Sequence, residues 1–142
     1  MVPGFRQRIT KRLDDLLWRR DFDSAEFVMG IIAMIWGLWL LNPAWDSYVS
    51  TPSYAPLETL APEWIVGVGM FMVGAAQIVA LLLEARSWRR ATALMMVSAW
   101  VFIGVTFGYA NIASTEGPVC LTYALAEIWA FLRLNRATTT TP

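Results

Sequence analysis

Two side chains central to nucleophilic and metal chemistry, His and Cys, are nearly absent. The chain has no His and a single Cys, Cys120. That inventory removes intrachain disulfides, Cys/His zinc sites and bis-His haem ligation. The Ser-His-Asp triad and the Cys-His dyad go with them. The expectation is a protein with no catalytic site, no metal and no cofactor. One carboxylate nevertheless stands in an unusual place. Glu127 lies inside the apolar run AEIWAFLRLNR, residues 126–136. A second stretch, AQIVALLLEAR at 76–86, matches it at Ala, Ile, Ala, Leu and the final Arg, and sets Gln77 opposite Glu127.

At ~1.5 Å of rise per residue, Gln77 and Glu127 would each lie about 10 Å from the charged end of their helices. They would therefore meet at one depth. Cys120, Tyr123, Glu127 and Ala130 share one helix face, and so do Met70, Gly74, Gln77 and Leu81. Polar residues in a bilayer turn toward the bundle interior. Gln77 is thus the expected partner of Glu127. Such a pair either holds helices together or binds a proton or cation along a pathway. A pathway usually needs several ionisable groups at depth, and only Glu127 is well inside, which favours the structural reading.

The elements that must position these residues are membrane spans. Of the 142 residues, 57% are hydrophobic and only 15% charged. A soluble domain of this length needs more polar surface, so lipid is the expected solvent. Formal net charge is zero, and nucleic acid is not an expected partner. Four apolar runs, 25–41, 64–83, 92–110 and 118–132, approach the ~20 residues that cross ~30 Å of hydrocarbon. A spanning segment must satisfy its own backbone hydrogen bonds, so all four are read as helices. The fold class is all-α: a polytopic bundle over 23–134 made of two antiparallel hairpins.

Charge placement sets the orientation. All eleven Lys and Arg residues fall in three clusters. Arg6, Arg8, Lys11, Arg12, Arg19 and Arg20 precede the first run. Arg86, Arg89 and Arg90 separate the second and third, and Arg133 and Arg136 follow the fourth. The intervening segments 42–63 and 111–117 have none, and carry Asp46, Glu58, Glu63 and Glu116. By the positive-inside rule this predicts an inner-membrane protein with both termini cytoplasmic.

Residues 1–22 read as a cytoplasmic amphipathic arm, with Phe5, Ile9, Leu13 and Leu16 at helical spacing among the cations. The arm does not read as a secretory signal, because LLNPAWD is a poor cleavage site. Residues 135–142 read as a disordered cytoplasmic tail. Asp23 and Glu26 have capping-box spacing, Asn42-Pro43 stops the first run, and Pro62 and Pro118 suit first-turn positions. Trp36, Trp39, Trp45, Trp64 and Tyr109 form an outer aromatic belt, and Trp18 and Trp88 an inner one. The Pro-rich outer loop, with Trp45, Tyr48 and Tyr54, reads as an interfacial cap rather than a docking surface. Small-xxx-small pairs that allow close helix approach are Ala33/Gly37, Ala76/Ala80, Gly104/Gly108 and Ala126/Ala130. The echo of Gln77 and Glu127, with Trp36 answered by Trp100, suggests two hairpins of one ancestry.

WGLWLLNP (36–43), the Pro/Tyr loop and LAPEW (60–64) resemble small four-span membrane proteins of tailed bacteriophages and prophages. The resemblance covers the first two spans and the loop between them. It implies a non-enzymatic protein acting by assembly in the host inner membrane, in the manner of a holin-like pore. The alternatives are an accessory subunit of a larger membrane complex and a small transporter using Glu127. The expected partners are the lipid bilayer and either further copies of the chain or a larger complex.

The orientation is directly testable. In a Cys120→Ser background, single cysteines placed in 42–63 should react with an impermeant thiol reagent added outside, and cysteines near Arg89 should not. Reversed labelling would contradict the charge argument.

Overall fold

The structure is a computed structural model that describes residues 21–44, 52–110 and 115–139. Every regular element among them is helical. Four long helices are α1 (Asp21–Leu40), α3 (Glu63–Leu82), α4 (Arg86–Ala110) and α5 (Glu116–Thr139). A 3₁₀ turn at Pro52–Tyr54 leads into the short α2 (Ala55–Leu60). Glu63–Leu82, Arg86–Ala110 and Glu116–Asn135 are long and apolar enough to cross a membrane, while the apolar part of α1, Ala25–Leu40, is shorter. The cations Arg6, Arg8, Lys11, Arg12, Arg19 and Arg20 of the arm, like Trp18, Trp45 and Tyr48, lie outside the described residues.

The helix ends follow the expected chemistry. α1 stops before Asn42-Pro43, and the Asn42 side-chain oxygen accepts from the Ala44 N–H at 3.1 Å. Pro118 lies in the first turn of α5, where a missing N–H costs nothing, whereas Pro62 is the N-cap of α3, just before the first turn in which it is expected. Two further expectations are corrected. The helix start expected at Asp23 is not there: α1 is already helical from Asp21. Nor is 135–139 irregular: α5 continues to Thr139, since no Gly or Pro interrupts it before Pro142.

α1 packs chiefly on α3, and α4 on α5. The first pair owes its closeness to four glycines. Gly37 lies against Gly67, and Gly30 against Gly74. A Cβ on Gly74 would fall 2.5 Å from the Gly30 carbonyl oxygen, and one on Gly37 would fall 2.6 Å from that of Gly67. The obstruction is backbone, so no rotamer change relieves it. Each helix carries its two glycines seven residues apart, which is about two helical turns and returns to nearly the same line. α4 and α5 approach through Gly104 and Gly117, where a Cβ on Gly117 would lie 3.1 Å from the Gly104 carbonyl oxygen.

Several small-residue pairs are therefore revised. Ala33 is fully buried and Gly37 is in the interface, but the second contact on α1 is Gly30. On α3 the residues that meet α1 are Gly67 and Gly74; Ala80 is buried and Ala76 only half-buried. Gly104 and Gly108 both meet α5: a Cβ on Gly117 would lie 3.1 Å from the Gly104 carbonyl oxygen and 3.3 Å from the Gly108 nitrogen, although the Cβ direction of Gly108 itself is open. Ala130 is buried but Ala126 is exposed. The buried line of α5 passes through Glu127, and at about 100° per residue Ala126 falls a quarter-turn to its side.

The α3–α4 connection is three residues, Leu83–Ala85. The Ala85 N–H donates to the Ala80 carbonyl and the Glu84 N–H to the Leu81 carbonyl, both at 3.2 Å. This is a Schellman close, with Glu84 in the left-handed region at φ 55°. So tight a turn starts α4 immediately below α3 and brings Arg89 under the bundle.

The outer loop is a cap that folds inward. Tyr54 and Leu57 are buried, so Tyr54 does not rest on the lipid interface as a belt residue would. Its ring meets Phe107 edge-on at 4.9 Å and stacks on Trp36 at 6.4 Å. Burial pushes its phenol up to about 12, against a smaller downward effect of the hydrogen bond with Trp36. Trp36 in turn meets Trp100 at 5.8 Å, and Trp100 meets Tyr123 at 5.0 Å. Trp64, Trp88 and Tyr109 do face outward, as a belt requires.

The glycine contacts set a clear test. Gly74→Ala should destabilise the bundle by about 1–3 kcal/mol, the usual cost of overpacking. Gly69→Ala should not, because nothing lies within 4 Å of that site. Unfolding of the two variants in detergent, side by side, would show the difference; equal stability would mean that α1 and α3 do not approach so closely.

Candidate functional site

Gln77 and Glu127 meet. The Gln77 Nε2 group donates to Glu127 Oε1 at 2.8 Å, between α3 and α5. Both side chains are 1% exposed. The same Nε2 donates to the backbone carbonyl of Glu26 on α1 at 3.2 Å. Two acceptors thus claim the amide nitrogen, and this settles which way the amide faces. One side chain ties three helices.

The fourth helix enters through an ion pair. Arg89 on α4 donates to the Glu26 carboxylate twice, from Nε to Oε2 at 3.0 Å and from its terminal nitrogen to Oε1 at 2.7 Å. Glu26 is buried and Arg89 nearly so. The fork geometry suits a carboxylate and makes each bond charge-assisted. Its net worth against an apolar pair is small. Removing one partner is another matter, because the survivor is a buried unpaired charge, typically at about 3–5 kcal/mol. Nearby, the Thr92 hydroxyl is buried and returns its proton to the carbonyls of Trp88 and Arg89 at 3.0 and 3.2 Å. Arg90 reaches the Leu134 carbonyl at 3.1 Å and joins the start of α4 to the end of α5.

The face assignments hold. Met70, Gly74, Gln77 and Leu81 are buried on α3; Cys120, Glu127 and Ala130 are buried on α5, with Tyr123 half-buried. The repeat is more regular than the matched letters suggested. Gly67, Met70, Gly74, Gln77 and Ala80 are buried, and so are Gly117, Cys120, Ala124, Glu127 and Ala130, each fifty positions later. The two residues set opposite each other by that spacing, Gln77 and Glu127, are the two that bond.

Glu26 and Arg89 were not anticipated as site residues. Glu26 read as half of a capping box, and Arg89 as one cation of an orienting cluster. The available signal was depth. Both stand at the charged ends of their runs, where a carboxylate and a guanidinium of opposite sign fall at one level.

What the cluster can do follows from what is left over. Gln77 Oε1 and Glu127 Oε2 are buried and have no hydrogen-bond partner among the described residues. No group of three or more His, Cys, Asp or Glu that could hold a metal ion occurs among the described residues. No family model, curated protein or solved structure matches the chain.

Glu127→Gln should keep the fold, because an amide at 127 still accepts from Gln77 and can also donate to Gln77 Oε1. Glu127→Leu should loosen the bundle by about 1–2 kcal/mol, since it leaves the Gln77 amide with one acceptor fewer in an apolar core. Thermal unfolding in detergent separates the two. Equal loss in both would show that the hydrogen bond is not what Glu127 supplies.

Proposed function

We propose that this chain is a non-enzymatic, four-span protein of the cytoplasmic membrane that acts by assembling there. The observation that carries the reading is the direction of its side chains. Gln77, Glu127, Glu26 and Arg89 are turned inward and join the four helices, and the buried Thr92 hydroxyl is satisfied within its own helix. The outward residues are apolar, among them Ile35, Met72, Val79, Met95, Val105 and Leu125, each more than half exposed. The polar side chains that cross between helices face the interior, so what the protein presents to others in the bilayer is shape and apolar surface.

On this reading α1 is the fourth span and crosses with the help of its helical extension toward Asp21. The glycine contacts favour an antiparallel hairpin of α1 with α3, and the packing of α4 on α5 is read as the second hairpin. Gly37 meets Gly67 while Gly30 meets Gly74, so position rises on one helix as it falls on the other. Both termini are then cytoplasmic, on the side of Arg86, Arg89 and Arg90. The resemblance at Trp36–Pro43 and Leu60–Trp64 points to a phage-type protein in a host inner membrane, with a holin-like pore as its form of assembly.

A second reading is favoured by the unpartnered oxygens of Gln77 and Glu127: a small transporter that uses Glu127. An accessory subunit of a larger complex would use the same apolar surface.

The full chain reconstituted in lipid nanodiscs should give a defined homo-oligomer by native mass spectrometry, and in vesicles it should release a trapped dye. A homo-oligomer without leakage would keep assembly and remove the pore. A monomer that copurifies with a stoichiometric partner would favour the subunit. A monomer with flux that disappears in Glu127→Gln would favour the transporter.

A further inference from the structure

The hydrogen-bond accounting around Glu127 is one donor short. The Gln77 amide nitrogen is engaged with two acceptors, Glu127 Oε1 and the Glu26 carbonyl. The Arg89 guanidinium is engaged with both oxygens of Glu26. Two buried acceptors remain, Gln77 Oε1 and Glu127 Oε2. They belong to the two side chains that already share a bond, and both residues are 1% exposed. An ionised carboxylate only accepts and cannot repair this deficit. A carboxylic acid carries one O–H donor and can.

The ion pairing points the same way. Glu26 and Arg89 cancel each other. On α4, Arg90 donates to the Leu134 carbonyl. On α3 the next ionisable group, Glu84, is exposed at the turn, and on α5 Arg133 is exposed as well. None of these cations bonds to Glu127, whose one side-chain partner among the described residues is the neutral Gln77, so an ionised Glu127 would be buried without an ion pair. An isolated ionised carboxylate is far more costly to bury than a neutral polar group.

We propose that Glu127 is a proton-binding site: the neutral acid donates its O–H to Gln77 Oε1 while it accepts from Gln77 Nε2. The pair closes an acid–amide ring in which both orphaned acceptors disappear. The ligand of the site is a proton, and Gln77 is the residue that positions it. The inference does not depend on whether the protein assembles, forms a pore or joins a larger complex. A small monovalent cation held between the same two oxygens would need Glu127 ionised, so the two occupants have opposite spectroscopic signatures.

Infrared spectroscopy of the full-length protein in phospholipid vesicles distinguishes them. The protein at neutral pH should show the C=O stretch of a protonated carboxyl shielded from water, shifted in D₂O and indifferent to replacing Na⁺ by K⁺ or choline. The band should be lost in Glu127→Gln and moved to higher frequency in Gln77→Ala, where the acid has lost its acceptor. Absence of the band in the unaltered protein would overturn the proposal whatever the variants do. So would its persistence in Glu127→Gln, or its appearance only when alkali cations are removed. Should Glu127→Gln fail to fold, the Gln77→Ala shift decides alone, and an unmoved band there would overturn the proposal.

Discussion

A single amide nitrogen, that of Gln77, stands between acceptors from two other helices. Much of the bundle's interior is arranged around that point. In hydrocarbon a polar group has no water to fall back on, so its partners must be supplied by the protein. Gln77 therefore does more than add a bond. It requires the Glu26 turn of α1 and the Glu127 turn of α5 to stand at its own depth. Individual hydrogen bonds between membrane helices contribute modestly, about 0.6–2 kcal/mol. Their directional demand nevertheless restricts which registers the four helices can adopt.

That demand is met only because the backbones come close. A Gln side chain reaches across to a backbone carbonyl of α1 when nothing bulky separates the helices. Gly30, Gly37, Gly67 and Gly74 provide the clearance, each with its neighbour's backbone where a Cβ would go. The three-residue turn at Leu83–Ala85 meets the other requirement. It places Arg89 within reach of Glu26 and closes the polar cluster with a guanidinium from α4. Packing and hydrogen bonding are thus interdependent: the glycines would have little reason to align without the polar residues, and the polar residues could not meet without the glycines.

At the other end the bundle is closed by rings. Trp36, Trp100 and Tyr123 line the interior beyond Glu127, and Tyr54 is drawn down from the outer loop onto Trp36, Trp39 and Phe107. Aromatic pairs in these tilted and edge-on arrangements contribute about 0.5–1.5 kcal/mol each beyond their buried area. Trp36 and Trp39 are amphipathic residues near a helix end and would suit a lipid interface equally well. The folded loop gives them an inner partner instead, which is why half of each is covered.

The sequence by itself determined the class of object and much of the site. The want of His and the lone Cys120 removed disulfides, Cys/His zinc sites and His-dependent triads, and the apolar runs called for membrane helices, because those properties depend on composition and length. Helical periodicity then put Gln77 and Glu127 on inward faces, and the echo between 76–86 and 126–136 matched them, because a period of 3.6 residues and a fixed rise per residue are local properties of one helix. Nothing local could say which small residues would touch. Gly30, Gly67 and Gly74 became contacts, and Ala126 did not, through the crossing of particular helix pairs. The partnership of Glu26 with Arg89 was equally hidden, since it joins residues sixty-three positions apart through a register that exists only once α1, α3 and α4 are packed. Tyr54 turned inward for the same reason: a ring in a loop goes where a pocket of other rings stands open, and that pocket is made by the tertiary fold.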